Sequence, residues 1–149
     1  MIASILLFAT FAAAAPVDMS KPPDVGPMRA VKLPSRSEWR LKNGLVVVFV
    51  EDKRVPLVTA RLAFAGGEAG VAAEDAGLAE ALAELLTDGT AGKSSKQIAD
   101  AAELFGGSLD AGAEPDSIVL RASSLSDKSD AMMALLAEVA RTPSFPEAE

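Results

Sequence analysis

Glu80 and Glu84 come nearer than any other residues here to a pair that could act together. Positions four apart on a helix share a face, so their carboxylates can reach one cation. Zinc sites, however, normally use nitrogen or sulfur donors, with three or four ligands around the ion. This chain has no His, no Cys and no Tyr. That removes histidine acid–base catalysis, thiol nucleophiles, thiolate metal sites and disulfides together. Two carboxylates alone suit at best a weak site for a hard ion. The plainer reading is a pair of solvated acids on the polar side of an amphipathic helix.

Two other stretches invite a chemical reading. Gly66-Gly67-Glu68-Ala69-Gly70 is glycine-rich and follows a strand pattern, but it lacks the lysine and Ser/Thr of a phosphate loop and reads as a turn. Ser94-Ser95-Lys96 suggests a serine–lysine nucleophile, yet Ser94 with Gln97 three residues on is a capping box that accounts for the serine.

The elements around these residues follow from periodicity. Asn43-Gly44 between apolar flanks predicts a hairpin, with Leu45 to Val50 as a buried, β-branched strand. Val58, Ala60, Leu62 and Phe64 alternate with Thr59, Arg61 and Ala63, the period of a strand with one buried face. A helix is predicted from Glu74 to Asp88, with Leu78, Leu82, Leu85 and Leu86 as its inward stripe, Glu80 and Glu84 opposite, and Gly89 as its stop. Ser94 opens a second helix that turns Ile98, Ala101, Ala102 and Phe105 inward. Strands follow at Ser108–Ala113 and Ser117–Ser123, joined by Glu114-Pro115-Asp116. Ser126 caps a third helix carrying Met132, Leu135, Leu136 and Val139 on one face.

The ends of the chain read differently. Residues Ile2 to Ala15 are apolar apart from Ser4 and Thr10 and end in four alanines, the pattern of a secretory signal peptide at 1–15. The run is too short to remain as a membrane-spanning helix, so no integral membrane segment is expected after cleavage. Five prolines between Pro16 and Pro34 make 16–36 a linker, and 37–149 the folded domain. The expected location is the periplasm or outside the cell. Pro146-Glu147-Ala148-Glu149 has the composition of a helix start, so the domain is expected to be incomplete at its C-terminal end.

Composition narrows the partners. Half of the residues are hydrophobic and the net charge is −7, from 14 basic and 21 acidic residues. Such a chain can bury a core but offers no basic stripe for phosphates, which argues against nucleic-acid binding.

The order hairpin, helix, helix, hairpin, helix, centred on Gly77-Leu78-Ala79-Glu80-Ala81-Leu82-Ala83-Glu84-Leu85-Leu86-Thr87-Asp88-Gly89-Thr90, resembles the pitrilysin/insulinase family of zinc metallopeptidases. Members carry an inverted zinc motif, His-x-x-Glu-His, on a helix framed by Gly-Leu-Ala before and Gly-Thr after. Here the frame stands at Gly77, Leu78, Ala79, Gly89 and Thr90. Asn43-Gly44, Gly66-Gly67-Glu68, Phe105-Gly106-Gly107 and Asp116 support it. The resemblance implies an α+β fold, an antiparallel sheet with helices packed on one face, forming the first domain of an insulinase-like chain. It places Glu80 and Glu84 at the ligand histidines and Ala83 at the catalytic glutamate, with the third ligand falling beyond Glu149. No catalytic residue, metal ligand or cofactor is therefore expected, although active members use zinc. The expected role is that of a non-catalytic subunit or pseudopeptidase, partnered by a metal-bearing subunit of the family or by an extended peptide. The alternatives are a divergent zinc metalloendopeptidase that recruits Glu80 and Glu84, or an exported binding module.

Overall fold

The structure is a computed structural model that describes Ser20 and residues 26–146. The expected signal segment at 1–15 and residues 147–149 lie outside the described residues. The chain divides into two compact units, one up to Val50 and one from Glu51 onward.

The first unit is a hairpin. Strand β1 (Arg36–Arg40) pairs antiparallel with β2 (Val46–Val50), Arg40 opposite Val46. Gly44 takes φ 91°, and the Asn43 side chain accepts the Leu45 N–H at 3.2 Å. The Asn-Gly pair therefore makes the turn for the reason its residue types suggest. The expected burial of β2 is corrected. Val48, Phe49 and Val50 are all exposed, and within this unit a two-stranded ribbon offers no second layer of its own.

The second unit contains a three-stranded antiparallel sheet in the order β3-β5-β4, from β3 (Leu57–Ala65), β4 (Ser108–Ala113) and β5 (Ser117–Leu125). Helices α1 (Leu78–Leu85), α2 (Ser95–Leu104) and α3 (Ser129–Arg141) complete it. Leu120 and Ala122 of β5 sit at the centre of one sheet face, flanked by Leu62 and Ala60 of β3 and by Ala111 and Leu109 of β4. Ile98 of α2 and Met132, Leu136 and Val139 of α3 pack on that face. The α+β layering read from the sequence is the observed one. The α3 stripe is also as expected: Met132, Leu135, Leu136 and Val139 are all buried.

Several boundaries move: β5 runs on to Leu125 rather than ending at Ser123, and β1 starts at Arg36, the last residue of the expected linker. Helix α1 begins at Leu78 rather than Glu74, because Gly77 adopts φ 92° and separates it from a single 3-10 turn at Ala73–Asp75. It ends at Leu85 rather than Asp88, and Gly89 is used instead in a bridge to Ser94. Ser126 does not cap α3. It opens a 3-10 turn, Ser126–Lys128, and its carbonyl accepts the Ser129 hydroxyl at 2.9 Å. Ser94 caps α2 as expected, with both hydrogen bonds of the capping box present.

Candidate functional site

Helix α1 carries the candidate residues, and its inward face is the one made of small side chains. Ala79 is 5 % exposed and Ala83 0 %, while Leu78 is 57 % and Leu82 39 % exposed. The expected inward leucine stripe is corrected at Leu78 and Leu82, whereas Leu85 is half-buried and Leu86 packs against the core. Alanines at 79 and 83 form their own apolar row four apart, and the small row is the one the chain buries. Leu82 and Leu86 instead help to line an open apolar cleft of about 320 Å³, with Phe64, Ala65, Ile118 and Ala140.

Glu80 and Glu84 are both exposed, as their positions on the helix require. Their surroundings differ. The Glu80 carboxylate accepts the backbone N–H of Ala113, on β4, at 3.0 Å. Its own N–H donates to the Glu68 carboxylate, also at 3.0 Å. Glu68 so supplies the N-terminal cap that Gly77, with no side chain, cannot. The Glu84 carboxylate has no hydrogen bond or ion pair among the described residues.

Glu68 is held in place by backbone. The loop 66–69 is stitched to the β4–β5 turn by three hydrogen bonds: Gly66 N–H to Asp116 O, Glu68 N–H to Glu114 O and Ala69 N–H to Pro115 O. A Cβ on Gly67 would lie 2.1 Å from the Glu114 carbonyl oxygen, so only glycine admits this approach. The Glu114 carboxylate in turn accepts from both Arg61 and Arg121. The turn, the loop, the start of α1 and the end of β4 form a closed circuit of hydrogen bonds.

The exit of α1 is held by a second cluster. Thr90 is 6 % exposed. Its hydroxyl donates to Glu138 of α3 at 2.7 Å and accepts the N–H groups of Gly92 (3.2 Å) and Lys93 (2.9 Å). The Lys93 ammonium donates to the other Glu138 oxygen at 2.6 Å. The Lys93 and Thr90 hydrogen bonds hold the Glu138 carboxyl below its ordinary pKa by stabilising the charged form. Ser144 N–H donates to Gly89 O, and a Cβ on Gly89 would meet the Ser144 hydroxyl at 2.7 Å. Gly89 and Thr90 thus close a seam between the exits of α1 and α3.

These donors do not fit zinc. One of the two carboxylates is engaged by a backbone N–H, and position 83 has no side-chain donor. Among the described residues no group of three or more His, Cys, Asp or Glu could surround an ion. Of the residues in this region, sequence reading missed Glu138 and the contacts that Glu68 and Ala113 make to Glu80. The contacts to Glu80 and Thr90 span 12, 33 and 48 residues. No local pattern announces contacts at such distances.

Residues 46–149 match the family described as Insulinase (Peptidase family M16). Among solved structures, the chain is similar to a peptidase M16 inactive domain from Pseudomonas fluorescens, at 34% identity and a TM-score of 0.67, over 76% of this chain and 28% of that one. A protease from Helicobacter pylori shares the fold at 22% identity and a TM-score of 0.71, over 78% of this chain and 28% of that one. Pitrilysin shares it at 21% identity and a TM-score of 0.68, over 78% of this chain and 13% of that one. The chain therefore spans less than a third of the length of each of these structures. No curated protein matches it.

Proposed function

From the premise that the chain belongs to the insulinase family, peptidase family M16, we propose that it is an exported, non-catalytic member. It serves as a subunit or pseudopeptidase and needs no zinc of its own. The observation that carries this reading is the framed helix. Gly77, Leu78, Ala79, Gly89 and Thr90 stand in place, while Glu80, Ala83 and Glu84 occupy the positions of the two ligand histidines and the general base. Loss of the general base alone removes roughly 10²–10⁴-fold in rate, and loss of the ligands removes the Lewis acid as well.

The role that fits is recognition. Strand β4 is an edge of its sheet among the described residues, and an exposed edge can take up an extended peptide by strand addition. A metal-bearing subunit of the same family would supply the chemistry. The apolar run Ile2–Ala15 supports export to the periplasm or the cell exterior, with cleavage after about fifteen residues.

Three measurements on the purified chain test the proposal. Zinc content should be far below one per molecule. The chain alone should not cleave peptides in a chelator-sensitive way. It should co-purify with a family member that carries an intact motif. Stoichiometric zinc lost on replacing Glu80 and Glu84 by Ala, together with chelator-sensitive cleavage by the chain alone, would replace this reading with the divergent-peptidase one.

A further inference from the structure

The edge of β4 is not uniformly open. Glu114 N–H donates to Ser117 O at 2.7 Å, which fixes the phase of the β4–β5 ladder. Hydrogen-bonded pairs alternate along an antiparallel ladder. Gly112, Asp110 and Ser108 therefore turn their backbone groups toward β5, and Leu109, Ala111 and Ala113 turn theirs outward. Of the three outward N–H groups, those of Leu109 and Ala111 have no partner among the described residues. Ala113 donates to Glu80. An incoming strand that used the whole edge would have to place a carbonyl oxygen where the Glu80 carboxylate already sits.

We infer that Glu80 is a guard on the β4 edge: it competes with an added strand for the Ala113 N–H and limits pairing to Leu109 and Ala111. The geometry suits a guard. Glu68 pins the Glu80 backbone through its N–H, and Glu68 is itself set by the loop stitched to the β4–β5 turn, so the carboxylate is aimed from a fixed base. A charged acceptor also forms a stronger hydrogen bond to an N–H than a peptide carbonyl does. Edge strands are commonly protected by charge against unwanted pairing, and Glu80 does so by direct contact with an edge donor. The inference rests on the proposed peptide role only for what the guard regulates; the guarding contact stands on geometry alone.

The test compares the full chain with Glu80→Ala, Glu80→Gln and, as a control one turn away, Glu84→Ala. Amide hydrogen exchange at Ala113, followed by NMR, should be at least about tenfold faster in Glu80→Ala. Glu80→Gln, which keeps an acceptor oxygen, should restore most of the protection, and Glu84→Ala should behave as the parent. A labelled Thr-Val repeat peptide should bind Glu80→Ala about fivefold more tightly than the parent, the factor that one net hydrogen bond is worth. Unchanged exchange at Ala113 overturns the guard. Equal peptide affinity for parent and Glu80→Ala overturns its competition with an added strand while leaving β4 as a peptide edge. Peptide binding to neither form overturns the peptide reading of β4, and exchange at Ala113 then decides the guard by itself.

Discussion

At the exit of α1, the Thr90 hydroxyl is buried and takes part in three hydrogen bonds, one of them to a carboxylate on α3. On the outer side of the same helix, Glu84 is exposed and its carboxylate contacts no donor among the described residues. By the resemblance read from the sequence, Thr90 belongs to the frame of the family's zinc helix and Glu84 stands at a ligand position. Thr90 holds the exits of α1 and α3 together through contacts that need no metal. The Glu84 carboxylate has no such contact among the described residues. On the non-catalytic reading proposed above, the helix is kept as a packing device and is lost as a reaction centre.

At position 83 a buried packing role coincides with the place the proposed reading gives to the general base. Ala83→Glu would place a carboxylate where the proposed reading puts the general base, but the residue there has no solvent exposure. Forcing a carboxylate into it should destabilise the chain by roughly 3 kcal/mol, through overpacking and desolvation. Urea unfolding measures this, and a loss under about 0.5 kcal/mol would mean the side chain escapes to solvent. Thr90→Val keeps the shape but removes all three hydrogen bonds. At about 1 kcal/mol for each bond, unfolding should cost roughly 2–3 kcal/mol less.

The next contrast is in pH. The Glu138 carboxyl is held below its ordinary value of 4.5 by Lys93 and Thr90. In the unfolded chain it regains that value, so the unfolded state binds the proton more readily. The clasp therefore contributes fully above the unfolded value, and its contribution is lost as pH falls from about 5 through the lower folded value. Thermal unfolding across that window should show an acid limb that flattens in Glu138→Gln. The smallest effect is expected at Glu84→Ala, within about 0.5 kcal/mol of the parent. A larger loss there would show that the outer face of α1 carries a contact of its own.

What could be read from the residues follows the range of each interaction. The Ser94–Gln97 capping box, the Asn43-Gly44 turn and the α3 stripe are local, and each stands where its spacing places it. The layered α+β arrangement follows from those periods. The inward face of α1 did not follow, because the helix has two apolar rows. Hydrophobicity favours the leucines, whereas close packing against the sheet selects Ala79 and Ala83. The frame at Gly89 and Thr90 was visible as a pattern, but its partners Glu138 and Ser144 lie on and beyond another helix. Glu68 looked like part of a turn. Only its distance from the Glu80 N–H reveals the cap.

The strand order β3-β5-β4 also has a consequence in time. β4 and β5 meet across the short Glu114–Asp116 turn, a closure of low entropic cost. β3 reaches β5 only after the chain has travelled through α1, α2 and β4; Ala65 pairs with Ser117, about 50 residues on. The hairpin is therefore expected to form first and to serve as the template on which β3 docks. Ala111→Gly, within the hairpin, should slow folding, whereas Leu62→Ala in β3 should chiefly hasten unfolding, a difference stopped-flow kinetics can resolve. The circuit from the β4–β5 turn through Glu68 to Glu80 can close only when that docking is complete. The edge of β4 is then left open during assembly and is guarded only in the finished molecule.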